Sequence, residues 1–263
     1  LAVVREAGLK PMTAAEVGAA ANLREEIVER VLVHLSDEDR VIALARPAAF
    51  IGCEAAAELL ERCTAHLEEA QRRAPWMLGQ TSLALARVFS MDEALLTRFL
   101  AAFSESGVIA AHRGYYATTD HVPKLTDEQR AFFEAVVPFD RSTPFVPADL
   151  ETVVETMRRS RVAGLSQAFD TLVARGVLVK VNDFIYRGTQ IRMAQERLQG
   201  FFASERLMTM AQFRDLLGTS RKYAVPLLEW FDARGVTVRS GDHRALRKPR
   251  DPAEASVSAA RTQ

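Results

Sequence analysis

The spacing of apolar residues near the end of the chain predicts a helix. Thr219 and Ser220 are favoured helix N-cap residues, and Gly235 is typical of the position just after a helix. Between them, apolar side chains recur at roughly helical spacing, so that one face of the helix is apolar. These residues are Val225, Leu227, Leu228 and Phe231.

A β-hairpin is predicted directly after this helix. Residues 236–239 alternate apolar with polar side chains as a strand does, residues 240–242 have the composition of a tight turn, and residues 243–247 return as a partner strand. Upstream, an apolar-faced helix is predicted from Thr209 to Gly218. A capped helix followed by a short hairpin is typical of the second half of a winged helix-turn-helix module, and the upstream helix belongs to the first half.

The same order of elements occurs four times along the chain. In each copy an apolar helix is followed by a break, a valine and an alternating run with a turn; the valines are Val41, Val108, Val177 and Val236. A period of roughly 60 to 70 residues is the length of a small domain rather than of a solenoid repeat. The sequence therefore predicts a mainly α fold with small β-hairpins, built of four tandem winged-helix domains.

The module boundaries follow from the predicted helix starts and hairpin ends. The four predicted winged helices cover residues 1–51, 52–123, 124–188 and 189–248. We expect the first to be N-terminally truncated, because the chain begins inside an apparent helix. Residues 249–263 are rich in Ala, Ser, Pro and charge without an apolar period, so a disordered tail is predicted there.

Positive charge is concentrated in the fourth module. The whole chain carries 34 basic and 34 acidic residues, but the segment from Thr219 to Arg250 has eight basic residues against three acidic ones. The third helices of modules one and two are instead acidic, with Glu25, Glu26 and Glu29 in one and Asp92 and Glu93 in the other. Phosphates attract the basic module and are repelled by the acidic helices. We therefore expect module four to bind nucleic acid and modules one and two to be spacers or to face proteins.

Module three has an intermediate character. Three arginines flank the start of its third helix and are candidates for an auxiliary RNA contact: Arg158, Arg159 and Arg161. Catalytic or cofactor motifs are not found, since the sequence has neither a GxxxxGK[ST] nor a GxGxxG stretch, and its five histidines show no metal-ligand spacing. We expect no catalytic residue, no metal and no cofactor within this chain. The two cysteines and the lack of a long apolar run favour a cytoplasmic location without a membrane span.

One segment resembles a known family closely. Residues 213–246, FRDLLGTSRKYAVPLLEWFDARGVTVRSGDHRAL, are similar to the last winged-helix module of the bacterial selenocysteine-specific translation elongation factors, SelB. The fourfold repeat agrees with the four tandem winged helices at the C-terminus of that family. Two positions depart from the family pattern: Trp230 stands where tyrosine is common, and His243 occupies a variable position of the wing.

The resemblance implies a function and a set of site residues. Family members hold a hairpin of the mRNA, the selenocysteine insertion element, beside an in-frame UGA codon on the ribosome. Their N-terminal domains bind GTP with Mg²⁺ and selenocysteinyl-tRNA, so this chain would be a monomeric RNA-binding part without GTPase activity. The implied RNA-binding set consists of Ser220, Arg221, Lys222, Arg239, Gly241, Asp242, His243, Arg244 and Arg247.

Two other functions are compatible with winged helices. A regulator that binds double-stranded DNA would need paired half-sites or several basic recognition helices. Only the last of the four is strongly basic here, which counts against that function. A scaffold that docks other proteins is the third hypothesis, and it predicts no salt-dependent binding of nucleic acid.

Overall fold

The computed structural model describes residues 1–247, and the predicted tail at 249–263 lies outside the described residues. Within the described part, each predicted module contains three helices and a hairpin. The elements of module one are α1 (Ala2–Glu6), α2 (Ala14–Ala21), α3 (Glu25–Asp37), β1 (Val41–Leu44) and β2 (Ala49–Gly52). An isolated bridge between Met12 and Phe50 adds a third strand position to this hairpin.

Modules two and three have the same order with one additional short strand each. Module two contains α4 (Cys53–Arg73), β3 (Gln80–Thr81), α5 (Ser82–Phe89), α6 (Glu93–Glu105), β4 (Ile109–His112) and β5 (Tyr115–Thr118). Module three contains α7 (Asp127–Val136), β6 (Ala148–Asp149), α8 (Leu150–Arg159), α9 (Leu165–Ala174), β7 (Leu178–Val181) and β8 (Phe184–Arg187).

Module four completes the series. It contains α10 (Gly188–Ser204), β9 (Met208–Thr209), α11 (Met210–Leu217), α12 (Arg221–Ala233), β10 (Thr237–Ser240) and β11 (His243–Leu246). The observed elements confirm the predicted fold class, a mainly α chain with small antiparallel sheets. The module boundaries themselves stay predictions.

The second helix of every module starts in the same way. The residue before it has an extended backbone, and its side chain accepts a hydrogen bond from the backbone N–H three residues later. These N-cap residues are Thr13, Thr81, Asp149 and Thr209. Such a cap satisfies one of the amides that a helix start leaves unpaired and contributes about 1 kcal/mol.

The short strands β3, β6 and β9 were not predicted from the sequence. Each consists of two residues just before the second helix and pairs antiparallel with the second strand of its own hairpin. In each of these three modules the sheet is therefore three-stranded, with the second hairpin strand in the centre. A two-residue strand carries no periodicity, so only the hairpin pattern was visible in the sequence.

The chain divides into two compact units, Leu1–Leu125 and a second unit that begins at Thr126. In the first unit the hairpin residues Leu44 and Ile51 of module one pack in one cluster with Phe99 of module two. In the second unit Tyr186 of module three packs in one cluster with Phe231 of module four. Each such buried aromatic or aliphatic side chain contributes roughly 1.5–3 kcal/mol. Neighbouring modules within a unit therefore share a core.

Candidate nucleic-acid interface

The start of α12 lacks the side-chain cap that the second helices have. Ser220 occupies the N-cap position with an extended backbone, but its side chain makes no capping hydrogen bond. Thr219, which the sequence also suggested as a cap, instead donates its hydroxyl to the carbonyl of Phe145 in module three at 3.2 Å. The amides of Arg221 and Lys222 therefore have no side-chain acceptor within residues 1–247. Free amides at a helix start bind phosphate well.

Two exposed cations follow this uncapped start. Arg221 and Lys222 are the first two residues of α12, and both side chains are exposed. The helix dipole disfavours cations in the first turn by a few tenths to about 1 kcal/mol. The ammonium of Lys222 lies 5.5 Å from the ring centroid of Phe184 and 5.6 Å from that of Tyr223. An anion bound at the same place would offset the unfavourable dipole.

The wing of module four is the β10–β11 hairpin. Arg239 is exposed and donates from Nε to the carbonyl of Gly241 at 3.1 Å. Gly241 and Asp242 form the exposed turn, and Gly241 has φ +61°, a left-handed conformation that glycine adopts without strain. His243 is half-buried, and its strand partner on β9 is Thr209.

An RNA-binding arginine needs an exposed side chain, but Arg244 does not face solvent. Only 7% of its side chain is exposed, and its Nε lies 3.2 Å from an oxygen of Asp232 near the end of α12. The other carboxylate oxygen of Asp232 accepts a 2.5 Å hydrogen bond from the hydroxyl of Thr237. Arg244 and Thr237 therefore lie on the buried side of the hairpin, and Val238 is 48% exposed. The guanidinium is paired with Asp232 inside the wing, an arrangement that disfavours a direct contact of Arg244 with RNA, and its place in the RNA-binding set stays a prediction.

This network was missed because the sequence pattern suggested an apolar inner face. Strand residues alternate sides, so one step of register exchanges the two faces. The available signal was that Arg244 lies two residues from Leu246 and so shares its face. Asp232, which compensates the buried charge, lies on a different element, and its contact with Arg244 depends on the tertiary packing.

Arg247 remains exposed at the end of the hairpin. Its guanidinium packs on Gly235, where an added Cβ would lie 3.0 Å from Nη1, and its amide donates to the carbonyl of Val236. Arg221, Lys222, Arg239 and Arg247 are thus the exposed cations of the predicted RNA-binding set. They belong to the start of α12 and to the hairpin of the same module.

Two of the predicted auxiliary arginines of module three lie beside carboxylates. Arg159 pairs with Glu155 at 3.1 Å. Arg158 lines an open groove of about 500 Å³ together with four carboxylates: Asp149, Glu151, Glu155 and Asp183. Arg161 lies in the exposed turn before α9. The auxiliary contact stays a prediction, and the neighbouring carboxylates disfavour phosphate at Arg158.

The recognition helices of modules one and two carry their acidic residues on the surface. Glu25, Glu26 and Glu29 of α3 are all exposed. In module two, Asp92 caps α6 through the amide of Leu95, and Glu93 accepts from the hydroxyl of Ser82 at 2.7 Å. Neither helix start is favourable for a phosphate.

Two further sequence expectations concern metals and membranes. Among the described residues, no group of His, Cys, Asp and Glu side chains is arranged to hold a metal ion. None of the helices in residues 1–247 has the length and apolar character needed to cross a bilayer. Cys63 is fully buried, and burial raises the pKa of its thiol to about 11, which keeps it protonated and unreactive.

The repeated fold and the basic last module define this chain as a tandem winged-helix protein. Residues 200–246 match the family model described as elongation factor SelB, winged helix. Over 256 residues the chain is 28% identical to the selenocysteine-specific elongation factor of Desulfomicrobium baculatum, a match that covers 94% of this chain and 40% of that protein.

Two further comparisons agree. The selenocysteine-specific elongation factor of Escherichia coli (strain K12) is 30% identical over 156 residues, which are 59% of this chain and 25% of that protein. The crystal structure of bacterial selenocysteine-specific elongation factor EF-Sec matches with a TM-score of 0.51 at 15% identity, covering 80% of this chain and 32% of that structure. These findings support the resemblance stated from the sequence: residues 200–246 match the SelB winged-helix model, and both relatives are selenocysteine-specific elongation factors. The chain spans less than half the length of these relatives.

Proposed function

We propose that this chain is the mRNA-binding region of a selenocysteine-specific elongation factor. In this proposal module four binds the loop of the selenocysteine insertion hairpin and holds it near the ribosome, so that selenocysteinyl-tRNA is delivered at UGA. GTP, Mg²⁺ and the tRNA would be bound by domains outside this chain, which contributes no catalytic step. The chain would act as a monomer in the cytoplasm, where translation takes place.

The proposal depends mainly on the exposed cations and uncapped amides at the start of α12. Arg221 and Lys222 are exposed there beside amides without a side-chain cap, and they lie within the segment that matches the SelB model. A narrow helix start and a wing suit the splayed bases and phosphates of an RNA loop, because the deep major groove of an RNA duplex does not admit a helix. The alternative of a DNA-binding regulator has no support from the relatives, which are translation factors.

The test is binding of a selenocysteine insertion hairpin by the whole chain at several salt concentrations. Arg221→Ala/Lys222→Ala should weaken binding about tenfold or more, and each lost phosphate contact should flatten the dependence of log K on log salt by up to one unit. Arg24→Ala/Arg30→Ala, which changes the N-cap residue and one residue of α3, is the matched control and should bind as the unchanged chain does. Equal affinity of the two double variants would contradict the assigned surface.

Competition separates the two nucleic-acid hypotheses. Unlabelled hairpin RNA should displace the bound hairpin at a concentration near its own dissociation constant. Duplex DNA of the same length should compete only at low salt, as an unspecific polyanion does. Stronger competition by the duplex would favour the DNA-binding regulator.

A further inference from the structure

The start of α12 is held by residues of the preceding module as well as by its own. Thr219 is tied to the carbonyl of Phe145. Phe145 in turn lies under the guanidinium of Arg197, 4.8 Å from the ring centroid, and Arg197 also donates to the carbonyl of Leu216 at the end of α11 at 3.1 Å. The turn between α11 and α12 is therefore fixed against module three.

Lys222 also contacts module three. Its ammonium lies within 6 Å of two rings, Phe184 of β8 and Tyr223 of its own helix, and the two rings meet edge to face with centroids 5.2 Å apart. Phe184 is 8% exposed and belongs to the core shared by modules three and four. Its strand partner is Asp149. Hydrogen bonds from Thr152 are the main cause of the lowered pKa of Asp149, and the charge of Lys222 adds to it.

These contacts limit the freedom of a side chain that is otherwise flexible. A lysine side chain has high rotamer entropy, part of which is lost when its ammonium binds a phosphate. A cation over an aromatic face is held there by the electrostatic attraction of the ring. An ammonium has three N–H donors, so donors remain for a phosphate beside the ring contact. A side chain held in this way loses less entropy on binding, which raises affinity by preorganisation.

We propose that Phe184 of module three is a positioning residue for Lys222, so that the wing of module three takes part in the RNA site of module four. This inference rests on the proposed function of α12. Phe184 contacts no RNA itself in this arrangement. It holds the ammonium at the helix start, and it does so from a module in which Arg158 and Arg159 lie beside carboxylates.

A double-mutant cycle on the whole chain tests the inference. Phe184→Leu keeps an apolar side chain but removes the ring face, and it should weaken binding of the hairpin about three- to fivefold. The same substitution in a Lys222→Ala background should have no further effect. The salt dependence separates the two roles: Lys222→Ala should flatten it, whereas Phe184→Leu should leave it unchanged because no phosphate contact is lost.

Module three provides a matched control. Phe169 is a similarly buried phenylalanine, and Lys180 lies over its ring at 5.8 Å, in a cation–π pair that does not involve α12. Phe169→Leu should leave hairpin affinity unchanged. Thermal unfolding of each variant checks that it is folded at the assay temperature. Should Phe184→Leu fail that check, Phe184→Met, whose unbranched and flexible side chain adapts to irregular core space, is used for the same cycle.

The outcomes separate this inference from the proposed function. If the unchanged chain binds the hairpin and the effects of Phe184→Leu and Lys222→Ala simply add, the positioning role is wrong and the RNA-binding function stands. An affinity of Phe184→Leu equal to that of the unchanged chain also overturns the role. If the unchanged chain does not bind the hairpin at low salt, the proposed function fails and the inference with it.

Discussion

Modules one and four are built on the same scaffold and differ in what they present to solvent. In both, a threonine caps the second helix through a capping box, with Glu16 as the partner in module one and Gln212 in module four. In both, that helix ends at a residue with a left-handed backbone, Asn22 or Gly218. The following helix then starts with acidic residues in module one and with Arg221 and Lys222 in module four.

The hairpins of the two modules differ inside as well. In module one the buried hairpin residues are apolar, among them Val41, Leu44 and Ile51. In module four Thr237 and Arg244 are buried, and both bind Asp232. The comparison shows that caps and core positions define a winged helix, whereas a few charged positions determine the surface that it offers. The charge of the surface can therefore differ between modules that have the same fold.

The largest expected effect concerns the buried ion pair of module four. Asp232→Ala leaves Arg244 without its partner, and we expect a loss of roughly 3 kcal/mol in the free energy of unfolding, since removing one partner of a buried pair costs about 3–5 kcal/mol. The lower end applies because the side chain of Asp232 keeps 22% exposure. Urea-induced unfolding measures the loss.

The matched variant for this prediction is in module one. Glu38→Ala removes an exposed carboxylate that pairs with His34 and Arg40 at 3.2 and 3.4 Å, and it should cost less than about 1 kcal/mol. Replacing both buried partners, as in Asp232→Ala/Arg244→Leu, should recover part of the stability. Equal losses in the free energy of unfolding for Asp232→Ala and Glu38→Ala would show that the buried ion pair of module four stabilises the chain no more than the exposed pairs of module one.

A charge exchange on α3 tests whether two cations in the first turn are sufficient for a helix to bind phosphate. Glu25→Arg/Glu26→Lys gives α3 the same pair that begins α12. We expect severalfold tighter unspecific binding of single-stranded RNA at low salt and a steeper salt dependence by one to two units, roughly 0.7 per added phosphate contact. Hairpin affinity at physiological salt should stay unchanged, because module one offers no matching wing.

The control for this exchange alters the charge equally at another place. Glu58→Arg/Glu61→Lys changes two exposed residues in the body of α4 rather than at a helix start. If this variant gains as much RNA affinity as the α3 variant, net charge explains the effect and the position of the cations does not matter.

The smallest expected effect is a difference in the pH dependence of stability between the capping boxes of modules one and four. The amide of Thr13 donates to the carboxylate of Glu16 at 2.8 Å, and this backbone hydrogen bond is the main reason why the pKa of Glu16 lies below 4.5. A pKa that is lower in the folded than in the unfolded chain gives a stabilisation that is complete above about pH 4.5 and is lost as the pH falls through the folded value. Gln212 makes the equivalent bond in module four at 2.8 Å and does not titrate.

We therefore expect Glu16→Gln to reduce the loss of stability between pH 6 and pH 3, and Gln212→Glu to increase it. The unfolding temperature of the unchanged chain and of both variants measures the difference, and a carbon-13 titration of the Glu16 carboxyl gives its pKa directly. An acid dependence that is the same in all three proteins would show that the capping box is not formed in solution.

Much of the fold could be predicted from the sequence because its signals are local. Threonines before apolar periods, glycine after them and alternating runs around a turn each act within a few residues, so Thr209 and Gly218 indicated helix ends correctly. The fourfold repetition of this local order gave the fold class. The charge of α12 was equally visible, since Arg221 and Lys222 lie in the first turn of a helix whose start the pattern located.

What the sequence could not provide are relations between distant residues. The sequence determined four winged helices and a basic last module, because caps, periodicity and charge are properties of neighbouring positions. Only the tertiary structure decided that Arg244 faces inward, because the carboxylate that neutralises it comes from the end of α12. It also decided that Lys222 rests on Phe184, because burial of apolar surface joins modules three and four in one core.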